Sequence, residues 1–105
     1  MERLVQLVKV FSDINRFKIL ILVLREQEVC VCEICGTLEL SQPLISCHLK
    51  QMREAGILES MQEGKWVIYS FTANPDSFLK CWIEEARKQI SSLPKLISCS
   101  TKPYC

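Results

Sequence analysis

Three cysteines lie within six residues of one another, and their sulfur atoms are the strongest potential ligands in the sequence. They are Cys30, Cys32 and Cys35, in the run Glu28-Val29-Cys30-Val31-Cys32-Glu33-Ile34-Cys35. Thiolates are soft ligands that suit arsenite, antimonite and soft divalent metals, and ligands close together in sequence cost less chain entropy to assemble. The run therefore predicts a thiolate site for a thiol-seeking ion.

Other uses of the same cysteines are possible. Buried structural cysteines are common, although this density beside charged neighbours favours ligands. Cys32 and Cys35 match half of a zinc site, and Cys99 and Cys105 would supply a second pair, so zinc or cadmium stays an alternative. A redox-sensing disulfide is another alternative. A thioredoxin-type enzyme is disfavoured because its CxxC motif follows a strand, whereas these surroundings read as helical, and we predict no enzyme activity.

Length and composition limit the class of protein. The chain has 105 residues, a net charge of +1 and seven cysteines, which suits one domain that would gain from oligomerisation. Its longest apolar run, residues 19–24, is too short to span a bilayer, and the N-terminus lacks a signal-peptide pattern. We therefore expect a cytoplasmic protein without a membrane partner, in which the cysteines bind ions rather than form disulfides.

Hydrophobic periodicity predicts the elements that must position these cysteines. Apolar residues at helical spacing predict helices over residues 4–11, 14–24, 31–38 and 41–55. Strand-like segments at residues 57–61 and 66–71 flank a turn with glycine near its tip. Asn74 is expected to cap a last helix, with Pro75 in its first position, an apolar stripe from Leu79 to Leu93, and Pro94 at its end.

The order of these elements, α-α-α-α-β-β-α, predicts a winged helix-turn-helix of the mainly α (α+β) class. We expect a homodimer, paired through the first and last helices. Residues 1–94 form one DNA-binding and dimerisation domain in this interpretation. Residues 95–105 form a flexible, cysteine-containing tail.

The fourth helix has the two faces that a DNA-reading helix needs. Ile45, Leu49 and Met52 predict a packing face, and residues 41–53 contain no acid, so the helix carries local positive charge despite the low net charge. A solvated amphipathic helix is the alternative, and the adjacent Gly64-Lys65 tip favours DNA. The predicted contacts are Gln42, Ser46 and His48 to bases, with Ser41 beside them, and Lys50, Arg53 and Lys65 to phosphates. His48 is assigned to DNA or to structure.

Helical geometry predicts how an ion would act on DNA binding. At about 100° per residue, Cys32 and Cys35 lie about 60° apart, whereas Cys30 lies about 160° from Cys32. If all three thiolates bind one ion, the first turn of the third helix must unwind and shift the DNA-reading helix. The ion would then favour the distorted state and DNA the undistorted one.

These segments together resemble the arsenical-resistance repressors of the ArsR/SmtB family, over about residues 2–93. The cysteine run is similar to the family's motif Glu-Leu-Cys-Val-Cys-Asp-Leu-Cys, residues 41–49 to its recognition helix and residues 63–69 to its wing. The resemblance implies a homodimeric repressor that leaves its operator on binding arsenite or antimonite. It implies Cys30 and Cys32 as principal ligands and Cys35 as the third. A two-fold dimer predicts an inverted-repeat operator.

Two departures from the family pattern bear on this expectation. Cys47 stands where the arsenic repressors commonly carry an arginine, so one DNA contact differs. The last helix lacks the acid and histidine pairs of the family's zinc sensors, which disfavours that zinc site. Cys35 distinguishes the arsenic motif from that of the cadmium and lead sensors, although the tail cysteines keep cadmium and lead as alternatives.

Overall fold

The apolar second helix is the centre of the core, as its sequence predicts. The computed structural model describes residues 1–96, in which α1 spans Glu2–Phe11 and α2 spans Ile14–Glu26. All six side chains of residues 19–24 are buried. Asp13 caps α2, since its carboxylate accepts a hydrogen bond from the Asn15 N–H at 2.8 Å. α2 packs against α1 and against two helices later in the chain.

The helix-turn-helix consists of α3, Val31–Leu38, and α4, Gln42–Glu54. The turn between them contains Glu39 in the left-handed conformation, with φ 56°. Ser41 caps α4, and its Oγ accepts a hydrogen bond from the Leu44 N–H at 3.4 Å. The expected packing face of α4 is confirmed, because Ile45, Leu49 and Met52 are all buried.

The sheet has three strands rather than the predicted two. β2, Leu58–Glu63, and β3, Trp66–Phe71, form the expected hairpin, and β1, Glu28–Cys30, pairs with the other edge of β3. Both pairings are antiparallel. β1 has only three residues, which is too short a segment to show the alternating pattern of a strand. Its partner is also distant in sequence, since Glu28 pairs with Ser70. The sequence pattern alone therefore predicts no strand at residues 28–30.

The last helix is shorter than its apolar stripe predicts. α5 spans Ser77–Arg87, and a short 3₁₀ helix follows at Ile90–Ser92. Asp76, not Asn74, is the N-cap, and its carboxylate accepts from the Leu79 N–H at 2.9 Å. The stripe continues to Leu93 because the tighter 3₁₀ turn still packs against the core.

The winged helix-turn-helix class is confirmed, with element order α-α-β-α-α-β-β-α before the 3₁₀ helix. Within residues 1–96, no helix has the length and apolarity needed to cross a bilayer. The predicted tail falls mostly on residues 97–105, including Cys99 and Cys105, which lie outside the described residues. The domain boundary at residue 94 stays a prediction.

Candidate thiolate site and nucleic-acid interface

Cys30 lies just before the third helix and not on it, as the predicted 160° separation from Cys32 assumes. It is the last residue of β1 and the N-cap of α3, with extended backbone at φ −99° and ψ 165°. The 160° separation from Cys32 therefore does not apply, because it assumes a continuous helix. Cys32 and Cys35 do lie on α3, three residues apart as expected. The angular separation of the cysteines therefore does not require the first turn of α3 to unwind.

A capping box holds Cys30 at this position. Its backbone N–H donates to the Glu33 Oε1 at 3.1 Å, and its sulfur accepts from the Glu33 backbone N–H. Glu33 is completely buried. The spacing of Cys30 and Glu33 matches the capping-box pattern with cysteine in place of serine or threonine, so a local signal for this cap is present in the sequence.

The three thiols differ in exposure. Cys30 is 1% exposed, Cys35 is half-buried and Cys32 is exposed. Burial raises the pKa of the Cys35 thiol, and the nearby Cys30 raises it further. In the described part of the chain, no three cysteine, histidine or acidic side chains are close enough together to hold a metal ion. A three-thiolate site would therefore need a rearrangement of these residues.

Cys30 and Cys32 open into a cleft beside the wing, a juxtaposition that the sequence did not predict. The cleft has a volume of about 270 Å³ and is lined by Cys30, Val31, Cys32, Gln42, Lys65, Trp66 and Val67. The β1–β3 pairing explains this, because Cys30 lies opposite Ile68, two residues from the first residue of β3. Cys35 does not line this cleft.

The exposed face of α4 carries most of the predicted DNA contacts. Five of them are exposed on α4 or at its cap: Ser41, Gln42, Ser46, Lys50 and Arg53. Cys47 is exposed on the same helix, and its sulfur accepts a hydrogen bond from the Gln51 Nε2 at 3.7 Å. This face presents cations and neutral hydrogen-bonding groups to solvent, which suits phosphates and base edges.

His48 differs from these residues because it is buried on the opposite side of α4. Its side chain is 6% exposed, and neither ring nitrogen has a hydrogen-bond partner among the described residues. His48 lies near the start of α2, where its charge helps to lower the pKa of Asp13, after the larger effect of the Asn15 N–H. His48 is predicted either to contact DNA or to have a structural role, and its buried position favours the structural role.

The wing tip presents Lys65 to solvent. Gly64 has φ 60°, a conformation that favours glycine, and no atom approaches within 4 Å of the position that a Cβ would take. The Lys65 Nζ lies 5.4 Å from the centroid of the Trp66 ring. Lys65 and Trp66 both line the cleft that contains Cys30 and Cys32.

Comparisons with known proteins agree with this architecture. Residues 13–60 match the model of the family described as "Bacterial regulatory protein, arsR family". The chain is 52% identical over 61 residues to the arsenic resistance transcriptional regulator ArsR1 of Pseudomonas putida, which covers 58% of this chain and 48% of that protein. It is 39% identical over 82 residues to the arsenical resistance operon repressor of Escherichia coli, covering 78% and 70% respectively.

Two further comparisons extend this similarity. The cadmium resistance regulatory protein CadC of Listeria innocua is 38% identical over 61 residues, which cover 58% of this chain and 51% of that protein. The chain therefore spans about half the length of two of these relatives. The structure of reduced HlyU from Vibrio cholerae superposes with a TM-score of 0.72 at 30% identity, over 83% of this chain and 87% of that one.

These relatives are named as transcriptional regulators, not as enzymes. The similarity covers the cysteine run, the helix-turn-helix and, in the Escherichia coli repressor and HlyU, most of this chain. By its sequence, its winged helix-turn-helix fold and these relatives, the chain belongs to the arsR family of bacterial regulatory proteins.

Proposed function

We propose that the protein is a metalloregulatory repressor that binds operator DNA as a homodimer and is released when arsenite or antimonite binds its cysteine thiolates. The observation that carries this proposal is the position of Cys30 and Cys32 at the start of α3, the helix that packs against the DNA-reading helix α4. A ligand bound to Cys30 and Cys32 would act on the packing of α3 against α4. We propose that the protein acts in the cytoplasm.

The DNA contacts in this proposal come from α4 and the wing. Gln42 and Ser46 face solvent where they can reach base edges, with Ser41 beside them. Lys50, Arg53 and Lys65 supply positive charge to phosphates, which gives affinity without sequence information. His48 supports α4 from its buried side. An exposed acid-free face next to an exposed lysine at the wing tip supports this division of roles.

The inducer site in this proposal consists of Cys30 and Cys32, with Cys35 as the third ligand. Three thiols within six residues suit a trivalent, thiol-seeking ion. Arsenous acid would exchange hydroxyl groups for thiolates, each thiol proton leaving with a hydroxyl as water, so that arsenic stays trivalent. Cys30 and Cys32 already share one cleft, whereas Cys35 must be brought to them.

The test is operator binding measured by fluorescence anisotropy under reducing conditions. A fluorescent duplex selected from a random-sequence pool is bound by the full-length protein and titrated separately with arsenite, antimonite, cadmium, zinc and peroxide. Release by arsenite and antimonite at concentrations where zinc and peroxide have no effect is the expected result. An intact complex at saturating arsenite would contradict the proposed trigger.

The double variant Cys30→Ser, Cys32→Ser separates sensing from DNA binding. Serine retains the size and capping capacity of the residue at position 30 but not its affinity for arsenic. We expect the double variant to bind the operator and to stay bound in arsenite. If the double variant loses operator binding while Cys81→Ser retains it, the cysteines at positions 30 and 32 are structural.

Cadmium is the second candidate inducer, with lead and zinc of the same class. The relationship to a regulator named for cadmium resistance favours it, and thiolates suit all three metals. Thiol oxidation is the remaining trigger for a repressor of this fold. Release by cadmium or by peroxide, with arsenite inactive, would replace the arsenite proposal.

A further inference from the structure

The cleft beside the wing connects two sites that the proposed function treats as separate. Its walls include two proposed inducer ligands, Cys30 and Cys32, and two proposed DNA contacts, Gln42 and Lys65. A cavity of about 270 Å³ is too small for these groups to be far apart. Residues of the proposed inducer site and of the proposed DNA interface therefore line the same cleft.

The sheet connects Cys30 to the wing. Cys30 lies in β1, which pairs with β3, and β3 begins at Trp66, directly after the wing tip. Cys30 is also held by its capping box with Glu33 at the start of α3. The backbone hydrogen bonds of the sheet thus join the ligand to the wing. No long pathway through the protein is needed to connect them.

The cleft lies on the side of the molecule that DNA would cover. Gln42 is exposed at the first turn of α4, and Lys65 is exposed at the wing tip. A duplex that contacts both residues crosses the space between them, and that space contains the exposed Cys32 side chain. The duplex would bring phosphates close to whatever occupies the cleft.

We propose that this cleft accepts either operator DNA or the thiol-bound inducer, so that DNA covers Cys32 directly and an inducer at Cys30 and Cys32 excludes DNA from Gln42 and Lys65. This inference rests on the proposed function and adds a mechanism of direct exclusion. In a transmitted distortion, the inducer weakens DNA binding by unwinding α3. In direct exclusion, a change at Cys32 weakens DNA binding without unwinding of α3. It also means that the inducer binds the free protein faster than the DNA-bound protein.

The first test is protection of individual cysteines from alkylation. The full-length, metal-free protein is treated with iodoacetamide under reducing conditions, with and without saturating operator duplex, and each cysteine is followed by mass spectrometry. DNA at about ten times its Kd should slow alkylation of Cys32 by about tenfold, because only the unbound fraction reacts. Cys81, exposed on α5 and outside the cleft, is the internal control and should react at an unchanged rate.

Anisotropy under the same conditions shows whether the duplex is bound. If DNA binds and Cys32 reacts as fast as in the free protein, the inference is overturned while the DNA-binding half of the proposed function survives. If no duplex binds at all, the proposed function itself fails. The two failures are therefore distinguishable.

The second test places charge in the cleft without an ion. Cys32→Asp adds a carboxylate near the expected phosphates, and Cys32→Asn has nearly the same shape without charge. We expect the Asp variant to bind DNA at least about tenfold more weakly than the Asn variant, an effect that salt reduces. Equal affinity of the two Cys32 variants, with both shown to be folded by circular dichroism, would overturn direct exclusion.

Discussion

At the scale of single residues, the unexpected side chain is His48. It belongs to the DNA-reading helix and carries two hydrogen-bonding nitrogens, yet 94% of its surface is buried, as its 6% exposure shows. A buried polar group without partners costs stability, and replacement by an apolar group of similar size is often neutral or favourable. The buried position of His48 therefore predicts that its replacement leaves operator binding intact, whereas a base contact would predict weaker binding.

We predict that His48→Leu retains operator affinity within about twofold, because the lost side chain does not face DNA. The melting temperature should stay the same or rise, since no described hydrogen bond is lost. Anisotropy and thermal unfolding measure the two quantities. A folded His48→Leu protein that has lost specific binding would show that the histidine does reach a base. Ser46→Ala, on the exposed face, is the matched comparison and should weaken specific binding.

The pair Gln42 and Lys65 tests the division between base and phosphate contacts. Lys65→Ala should weaken binding to all sequences alike and lower the salt slope by about one. Gln42→Ala should relax specificity at one base pair, at a cost of about 1–3 kcal/mol. Affinities for the operator and for single-base variants, measured over a range of salt concentrations, distinguish the two. Identical behaviour of the two variants would contradict the assignment.

At the scale of elements, Arg3 connects three helices. Its Nε donates to the Asp76 Oδ2 at 2.8 Å at the N-cap of α5, and its Nη1 donates to the Ala55 carbonyl at the C-cap of α4. The Arg3 guanidinium and then the Leu79 N–H lower the pKa of Asp76. The arginine thereby ties α1 to the C-terminal end of the DNA-reading helix.

The lowered pKa of Asp76 predicts the pH range in which the ion pair between Arg3 and Asp76 stabilises the fold. Because the pKa is lower in the folded state, the stabilisation is present above the unfolded-state pKa of about 3.9 and is lost as the pH falls through the folded-state value. Asp76→Asn retains N-cap capacity but not the charge. Its melting temperature should be lower than the wild type's by a few degrees at neutral pH, and the difference should disappear in acid. A difference that persists in acid would indicate a lost cap instead.

At the scale of the whole molecule, the exposed apolar side of α1 is unusual for a monomer. Leu4, Val5 and Val8 are each about half exposed, at 46%, 48% and 53%. Exposed contiguous apolar surface marks interaction sites. The proposed dimer would cover this surface, and a two-fold dimer would present two copies of α4 to an inverted repeat.

We predict that Val8→Asp weakens the dimer, because it places a charge in the proposed interface. The change should shift the sedimentation equilibrium toward monomer and lower affinity for the full operator by at least about tenfold, since the two half-sites are then bound separately. Val8→Thr, of similar shape and uncharged, is the control and should stay dimeric. Operator half-sites should lie about one helical turn of DNA, or a multiple of it, apart. A Val8→Asp protein that sediments as the wild type does would exclude α1 from the interface.

The sequence by itself determined those features that depend on neighbouring residues. Helical spacing identified the helices α1 to α4 and the buried face at Ile45, Leu49 and Met52, because side chains a turn apart lie on one face. The caps at Asp13 and Ser41 are also local, because each side chain accepts a hydrogen bond from an N–H two or three residues further along the chain. The cysteine run and the helix-turn-helix sufficed to identify the family.

The tertiary structure alone decided where the cysteines lie relative to the wing. β1 has three residues and exists because β3 pairs with it, a contact between Glu28 and Ser70 that no local pattern encodes. That pairing holds Cys30 in a strand beside the wing. Of the three closely spaced cysteines, two then line one cleft and the third does not. The burial of His48, by contrast, follows from helical spacing, because His48 lies one turn from both Ile45 and Met52 on the packing face of α4.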